Sequence, residues 1–211
     1  MRSLLTIITF LCLFSHSSLS NIDNFEGKIK IIKESIYDTL QIEISVKKDI
    51  VRIDEITKRN TINRSYLVDL SKEKIYALSL REKLYTEVPI STNRHNAQVD
   101  IIKTQNTMSI NGVTCHQWRV RDKSKNTEVT YWVTAKEFGF MQSLISIISR
   151  SETPLRILGL FPNTNGYFPL LSVDRTLLRK VKESAKIVDI KQAKLPEGLF
   201  AIPPDFRELL S

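Results

Sequence analysis

Cysteine is nearly absent from this chain, which excludes a scaffold held together by disulfides. The 211 residues contain two cysteines, and one of them, Cys12, lies in an apolar N-terminal block. Removal of that block leaves Cys115 without a partner for an intrachain disulfide. We interpret Cys115 as a small buried side chain on a strand, with an intermolecular disulfide or a reactive thiol as the alternatives.

Histidine and glycine are also scarce, and their positions exclude the common catalytic and cofactor motifs. His95 falls in a polar stretch, and His116 follows Cys115 on a predicted strand, where neighbouring side chains point to opposite faces. The six glycines never cluster, so the sequence has no phosphate-binding loop. It also lacks G-x-S-x-G, H-E-x-x-H and C-x-x-C motifs. We therefore expect no catalytic residue, no metal site and no cofactor, and predict that the protein is not an enzyme.

No apolar run is long enough to cross a membrane as a helix. The block at residues 4–14 follows Arg2 and precedes small polar residues, whereas a span needs about 20 apolar residues. This pattern is typical of a secretory signal peptide. We predict that residues 1–20 are removed and that residues 21–211 form one domain, without a stable transmembrane segment, in the periplasm or cell envelope of a Gram-negative bacterium. An uncleaved membrane anchor is the alternative.

Positive charge exceeds negative charge, but it does not concentrate into a nucleic-acid-binding patch. The formal net charge is +8, and lysines and arginines are scattered beside acidic residues along the predicted strands. Such residues form solvated outer faces, so we expect no nucleic-acid partner. One basic run, made of Arg179, Lys180, Lys182 and Lys186, is either such a face or a contact for anionic lipid or an acidic partner.

Alternating apolar and polar residues predict about ten antiparallel strands. In the clearest case Leu40, Ile42, Ile44 and Val46 alternate with polar residues. Two further strands each present an apolar row to one side, and these rows consist of Tyr66, Val68 and Leu70 and of Tyr76, Leu78 and Leu80. The pair Asn111-Gly112 predicts a tight hairpin. Three prolines between residues 154 and 169 predict irregular segments or an edge strand there.

One helix is predicted, at residues 138–150. Met141, Leu144, Ile145 and Ile148 follow the i, i+3, i+4, i+7 spacing, and further apolar residues widen this stripe over most of the helix surface. Such a helix needs cover on more than one side. We predict a mainly β (α+β) fold in which a curved antiparallel sheet holds the apolar helix in its concave face.

The order of several short segments resembles a bacterial family of exported domains without an assigned function. These segments are FEGKIKI, VRIDEI, SYLVDL, KIYAL, LYTEVP, INGVTCHQWRV, TYWVT, NGYFPL and LFAIPPDF. The resemblance covers about residues 25–206. That family is in turn similar to the LolA/LolB lipoprotein carriers, whose fold is a half-open antiparallel β-barrel with a lid of helices. The resemblance implies a cup-shaped sheet, an apolar cavity and a lipid or acyl ligand.

This pattern favours two functional classes over a third, an enzyme. The first is an exported binding protein for an apolar ligand, such as a lipid or a lipoprotein acyl chain. Its cavity is predicted to be lined by Phe140, Met141, Leu144 and Ile148 from the helix and by Ile42, Ile44, Val68 and Leu78 from the strands. The second class is a structural or interaction module that binds an envelope protein, in which case these residues fill a dry core.

Overall fold

The computed structural model describes residues 25–91, 99–123, 127–136, 138–162, 166–176 and 178–209. The predicted signal peptide and the polar stretch that contains His95 lie outside the described residues. Within them, no helix is both long and apolar enough to cross a membrane.

Twelve strands of the described chain form one curved sheet. They are β1 Gly27–Ser35, β2 Thr39–Lys47, β3 Ile50–Ile56, β4 Ile62–Asp69, β5 Lys74–Ser79, β6 Leu84–Glu87, β7 Val99–Ile110, β8 Val113–Asp122, β9 Thr127–Thr134, β10 Phe168–Arg175, β11 Val181–Gln192 and β12 Arg207–Glu208. The strand order is β12-β6-β5-β4-β3-β2-β1-β11-β10-β9-β8-β7. All neighbours are antiparallel except β12 and β6. The sheet does not close, and together with its helix it confirms the predicted half-open barrel.

The two halves of the sheet are meanders joined by one long-range pairing. Strands β1 to β6 follow one another along the chain, as do β7 to β11, and β1 pairs with β11 to join the two series. Isoleucines face one another across β1 and β2, where Ile29 opposes Ile44 and Ile31 opposes Ile42. The alternation in these strands fixes the register, because a slip by one residue would turn these four isoleucines away from the core.

Two local predictions about this meander architecture differ in outcome. Asn111 and Gly112 form the turn between β7 and β8 with φ values of 51° and 76°, so the predicted tight hairpin is confirmed. For residues 154–169 the sequence predicted irregular segments or an edge strand. The first alternative holds for residues 154–162, which form turns and a 3₁₀ helix. The second is wrong for Pro169, since β10 lies inside the sheet between β9 and β11. The ladder with β9 shifts register between Pro169 and Leu171, and such an irregularity accommodates a residue without a backbone N–H.

Helix α1, Gly139–Ile148, lies in the concave face of the sheet and confirms the predicted helix. Its buried side chains are Phe140, Met141, Leu144, Ile145, Ile147 and Ile148. A short 3₁₀ helix, Arg156–Leu160, follows it and covers a neighbouring part of the same face. A Cβ atom at Gly159 would lie 3.0 Å from Ser149 Cα, so glycine permits the close approach of the two helices. We call residues 138–161 the lid segment.

The convex face carries the C-terminal segment, residues 193–209. Near its start, Leu195 N donates to Glu26 Oε1 at 2.6 Å and Lys47 Nζ donates to Leu195 O at 2.6 Å. Farther along, Arg52 Nη1 donates to Leu199 O at 3.1 Å. The segment then reaches β6, where β12 adds a short parallel strand. It therefore crosses the outside of the sheet from β1 to β6.

Candidate functional site

The concave face and the lid segment enclose all but one of the eight residues predicted to bind an apolar ligand. All eight are buried, with at most 7% of their surface exposed. Seven of them belong to one continuous apolar cluster, and these are Ile42, Ile44, Val68, Phe140, Met141, Leu144 and Ile148. The structure thus brings the helix residues and three of the four strand residues together, and in this state their side chains fill the space between sheet and helix.

Leu78 is the exception, and its predicted position on the concave face is wrong. In the pairing of β4 with β5, Val68 opposes Ile75, whereas Leu78 opposes Ser65. Because opposed residues lie on the same face of a sheet and neighbours alternate, Leu78 faces away from Val68. Both faces of β5 carry apolar residues, so the sequence pattern did not distinguish them. Leu78 instead lines an outer cavity of about 260 Å³ together with Tyr85 and Leu209.

Aromatic contacts anchor the lid segment at its N-terminal end. The ring of Phe138 lies 5.0 Å from the ring of Phe25 and 4.6 Å from that of Phe168, both with edge-to-face geometry. Phe140 stacks on Phe25 at 5.9 Å. Phe25 and Phe168 are distant in sequence from the helix, and sequence reasoning did not assign them to the site. Edge-to-face pairs of this kind add about 0.5–1.5 kcal/mol beyond their buried area.

A second aromatic group anchors the C-terminal end of the lid segment. Phe161 stacks on Trp118 with ring centroids 5.9 Å apart and meets Tyr131 edge-to-face at 5.1 Å. The hydroxyl of Tyr131 donates a buried hydrogen bond to the carbonyl oxygen of Ile157 at 2.8 Å. Burial raises the pKa of Tyr131 well above its usual value, so this phenol stays protonated and keeps its donor.

Other polar contacts join the lid segment to the rim of the sheet. Arg150 Nη2 lies 2.7 Å from Glu73 Oε2, and the Ser91 amide donates to Arg150 O at 3.0 Å. Lys33 Nζ donates to Pro154 O at 3.1 Å. These contacts lie after the helix, whereas the inward side of the helix itself meets the sheet through apolar side chains. The arrangement can open only by exposing a large apolar surface, unless another apolar molecule replaces it.

Cys115 and His116 do not form a catalytic pair in this structure. Cys115 is fully buried, while His116 is exposed on the next position of β8. Burial raises the pKa of the Cys115 thiol, which lowers its reactivity. In the part of the chain that the structure describes, no group of three histidine, cysteine, aspartate or glutamate side chains is placed to hold a metal ion.

One protein-family model matches most of this chain. A family model described as "Domain of unknown function (DUF4412)" matches residues 25–206. The chain belongs to this family. The matched range agrees with the segments on which the sequence resemblance rests, so membership of a family without an assigned function is confirmed. No curated protein matches the DUF4412 chain.

The solved structures that match this chain have very different sequences. An uncharacterized conserved protein from Thermus thermophilus is 11% identical, with a TM-score of 0.58, and the match covers 88% of the DUF4412 chain and 90% of the other. PNGF-II is 12% identical over 86% of this chain but only 30% of its own, with a TM-score of 0.46. A putative outer membrane lipoprotein-sorting protein domain from Vibrio parahaemolyticus is 9% identical over 82% and 87% of the two chains, with a TM-score of 0.34. The first of these similarities supports the fold, and none of them assigns a function.

Proposed function

We propose that this DUF4412 protein is an exported, non-enzymatic binding protein for an apolar ligand, a lipid or an acyl group. The observation that supports the proposal is the construction of the concave face, where one continuous segment, residues 138–161, provides a helical cover with an almost wholly apolar inner side. The ligand would lie between this lid segment and strands β1 to β3. The sequence resemblance to LolA/LolB carriers favours the same class of ligand, including the acyl chain of a lipoprotein.

The energetics of opening favour an apolar occupant over water. Each buried CH₂ group contributes about 0.8 kcal/mol, so lifting the helix into water would cost many kcal/mol. An acyl chain in its place would restore much of this burial. The polar contacts add little, since an ion pair that is partly in solvent, such as Arg150 with the half-exposed Glu73, contributes about 0–1 kcal/mol. The Tyr131 hydrogen bond adds about 0.5–1.5 kcal/mol.

Native mass spectrometry of the protein purified from its host envelope, combined with organic extraction, tests the proposal. We expect a bound lipid or acyl species whose mass identifies its class. Leu144→Phe, on the concave face, should reduce ligand occupancy because the larger side chain would take the space of the ligand. Leu78→Phe is the matched control, because Leu78 is equally buried but lies on the outer face. A protein that is free of ligand and also fails to bind added phospholipid or fatty acid would contradict the proposal.

The second candidate is a structural or interaction module of the cell envelope with a filled core. It is favoured by the complete burial of Ile42, Ile44 and Leu144 within a continuous apolar cluster. For this function we expect the ligand-free result above together with a protein partner recovered by cross-linking in the native cell. A stable monomer without such a partner would count against it.

A further inference from the structure

The outer face of the sheet carries a second cavity, which is independent of the proposed apolar site. It has a volume of about 510 Å³ and lies over strands β8, β9 and β10. Four arginines line it, Arg119, Arg121, Arg175 and Arg179, together with the single carboxylate of Glu128. We call this cavity the arginine groove. Its lining side chains carry an excess of positive charge.

The strand register explains why the arginines converge. Arg121 of β8 opposes Glu128 of β9, and Glu128 in turn opposes Arg175 of β10. Residues opposed in this way project from the same face. Val120 alternates with these arginines and lies in the core cluster on the other face. The groove is therefore separated from the lid segment by the thickness of the sheet.

Glu128 leaves much of the positive charge in the groove uncompensated. Arg119 donates two hydrogen bonds of 2.8 Å to the Glu128 carboxylate, and Arg121 Nη2 lies 3.2 Å from Glu128 Oε2. Arg119 is the main cause of the lowered pKa of Glu128. Asp100 opposes Arg121, but Lys123 binds it at 2.9 Å.

Arg175 and Arg179 form the uncompensated side of the groove. The only polar contact of their side chains within the described chain joins Arg175 Nη1 to the backbone carbonyl of Arg179 at 3.3 Å. Arg179 sits in the turn before β11 with a φ of 61°. No described carboxylate forms an ion pair with either guanidinium. Two cations without an ion-paired carboxylate, in a cavity whose lining is positive overall, favour an anionic occupant.

We infer that the arginine groove binds a phosphate group. Guanidinium groups donate paired hydrogen bonds that match the oxygens of phosphate, and Arg175 and Arg179 have donors that no described carboxylate occupies. The groove, at about 510 Å³, has ample room for a phosphate group. The phosphate could belong to a free phosphorylated molecule or to the headgroup of an anionic phospholipid, since both present the same chemistry. The inference does not depend on the proposed apolar ligand.

Calorimetric titration with inorganic phosphate and pyrophosphate tests the first source. Co-sedimentation with vesicles of phosphatidylglycerol and phosphatidylcholine, against pure phosphatidylcholine, tests the second. The double variant Arg175→Ala/Arg179→Ala should weaken binding at least about tenfold, because it removes the charge-assisted hydrogen bonds of both guanidinium groups. The double variant Arg175→Lys/Arg179→Lys should recover only part of the affinity, because lysine keeps the charge but not the paired donors.

The matched control is Arg59→Ala/Arg81→Ala, which removes the same charge from two exposed turns away from the groove. The control should bind like the wild-type protein. Binding of pyrophosphate or phosphate would support a free ligand, and binding only to phosphatidylglycerol vesicles would support a lipid headgroup. No binding to any of these probes, or an equal loss in both double variants, would overturn the inference. NMR shifts of the arginine side-chain Nε–Hε signals in the wild-type protein provide a readout that does not depend on the variants.

Discussion

Substitution of Asp54 by alanine should strongly destabilise the protein, because Asp54 is the carboxylate of a buried ion pair. Arg52 Nε lies 2.9 Å from both oxygens of Asp54. The side chains of Arg52 and Asp54 are only 8% and 5% exposed. Arg52 also donates to Ser65 Oγ at 3.0 Å and to the carbonyl oxygen of Leu199, and Ser65 donates to Asp54. The network thus joins strands β3 and β4 to the C-terminal segment.

The expected loss of stability follows from the charge of Arg52, which stays buried after the substitution. Asp54→Ala leaves the Arg52 guanidinium buried without its counter-charge, and breaking a buried pair in this way costs about 3–5 kcal/mol. That is a large part of a typical unfolding free energy of about 5–15 kcal/mol. The double variant Arg52→Met/Asp54→Leu removes both charges and should lose less, about 1–3 kcal/mol, mainly because the Leu199 carbonyl loses its donor.

Urea unfolding followed by tryptophan fluorescence provides the measurement. A lower midpoint with an unchanged slope would report a loss of native stability. Glu87→Ala is the surface control, since Lys74 and Glu87 form a 2.8 Å pair with exposed side chains and should contribute about 0–1 kcal/mol. A loss below about 1 kcal/mol for Asp54→Ala, or a double variant less stable than the single one, would refute the reasoning.

Three further predictions concern individual side chains. Cys115 should resist alkylation in the native protein and react after denaturation, as measured by mass spectrometry, because burial raises its thiol pKa. Glu128→Gln should destabilise the protein at neutral pH. The difference in stability from the wild type should shrink as the pH falls below 4.5, the ordinary pKa of a glutamate. Arg119 lowers the pKa of Glu128 in the folded state, so protonation of Glu128 at lower pH removes the stabilisation. A difference in thermal melting that does not change with pH would contradict this. Tyr131→Phe should cost about 0.5–1.5 kcal/mol and accelerate amide exchange in the lid segment, because the Ile157 carbonyl loses its donor.

Local patterns were enough to predict the elements and the fold class. Alternation in β1 to β3 and the apolar spacing of α1 each depend on neighbouring residues, and the structure has strands and a helix in those places. The pairing of β1 with β11 was not predictable in this way, since it joins residues more than a hundred positions apart. Nor was the path of the C-terminal segment across the convex face. Single backbone contacts such as Arg52 with Leu199 O fix that path, and they leave no periodicity in the sequence.

The errors in the candidate site have a common cause, which is that strand periodicity gives relative but not absolute orientation. Alternation correctly separates Ile75 from Leu78, yet it does not say which of them faces the helix when both faces of the strand are apolar. The arginine groove was not predicted from the sequence, for a related reason. Its arginines come from β8, β10 and a turn, and only Arg179 belonged to a recognisable basic run in the sequence.

Substitutions can separate ligand binding from folding more cleanly on the outer face of the sheet than on the concave face. Residues such as Leu144 belong to the hydrophobic core whether or not they also bind a ligand. Leu144→Ala would lower the free energy of unfolding by about 2–5 kcal/mol. A loss of ligand in a Leu144 variant therefore has to be compared with the Leu78→Phe control, which changes a similarly buried position on the outer face. Arg175 and Arg179 lie on the outer face and form no ion pair with a described carboxylate, so the fold has little need of them. If their substitution abolishes anion binding while the unfolding midpoint stays unchanged, a binding role is the remaining explanation for their convergence.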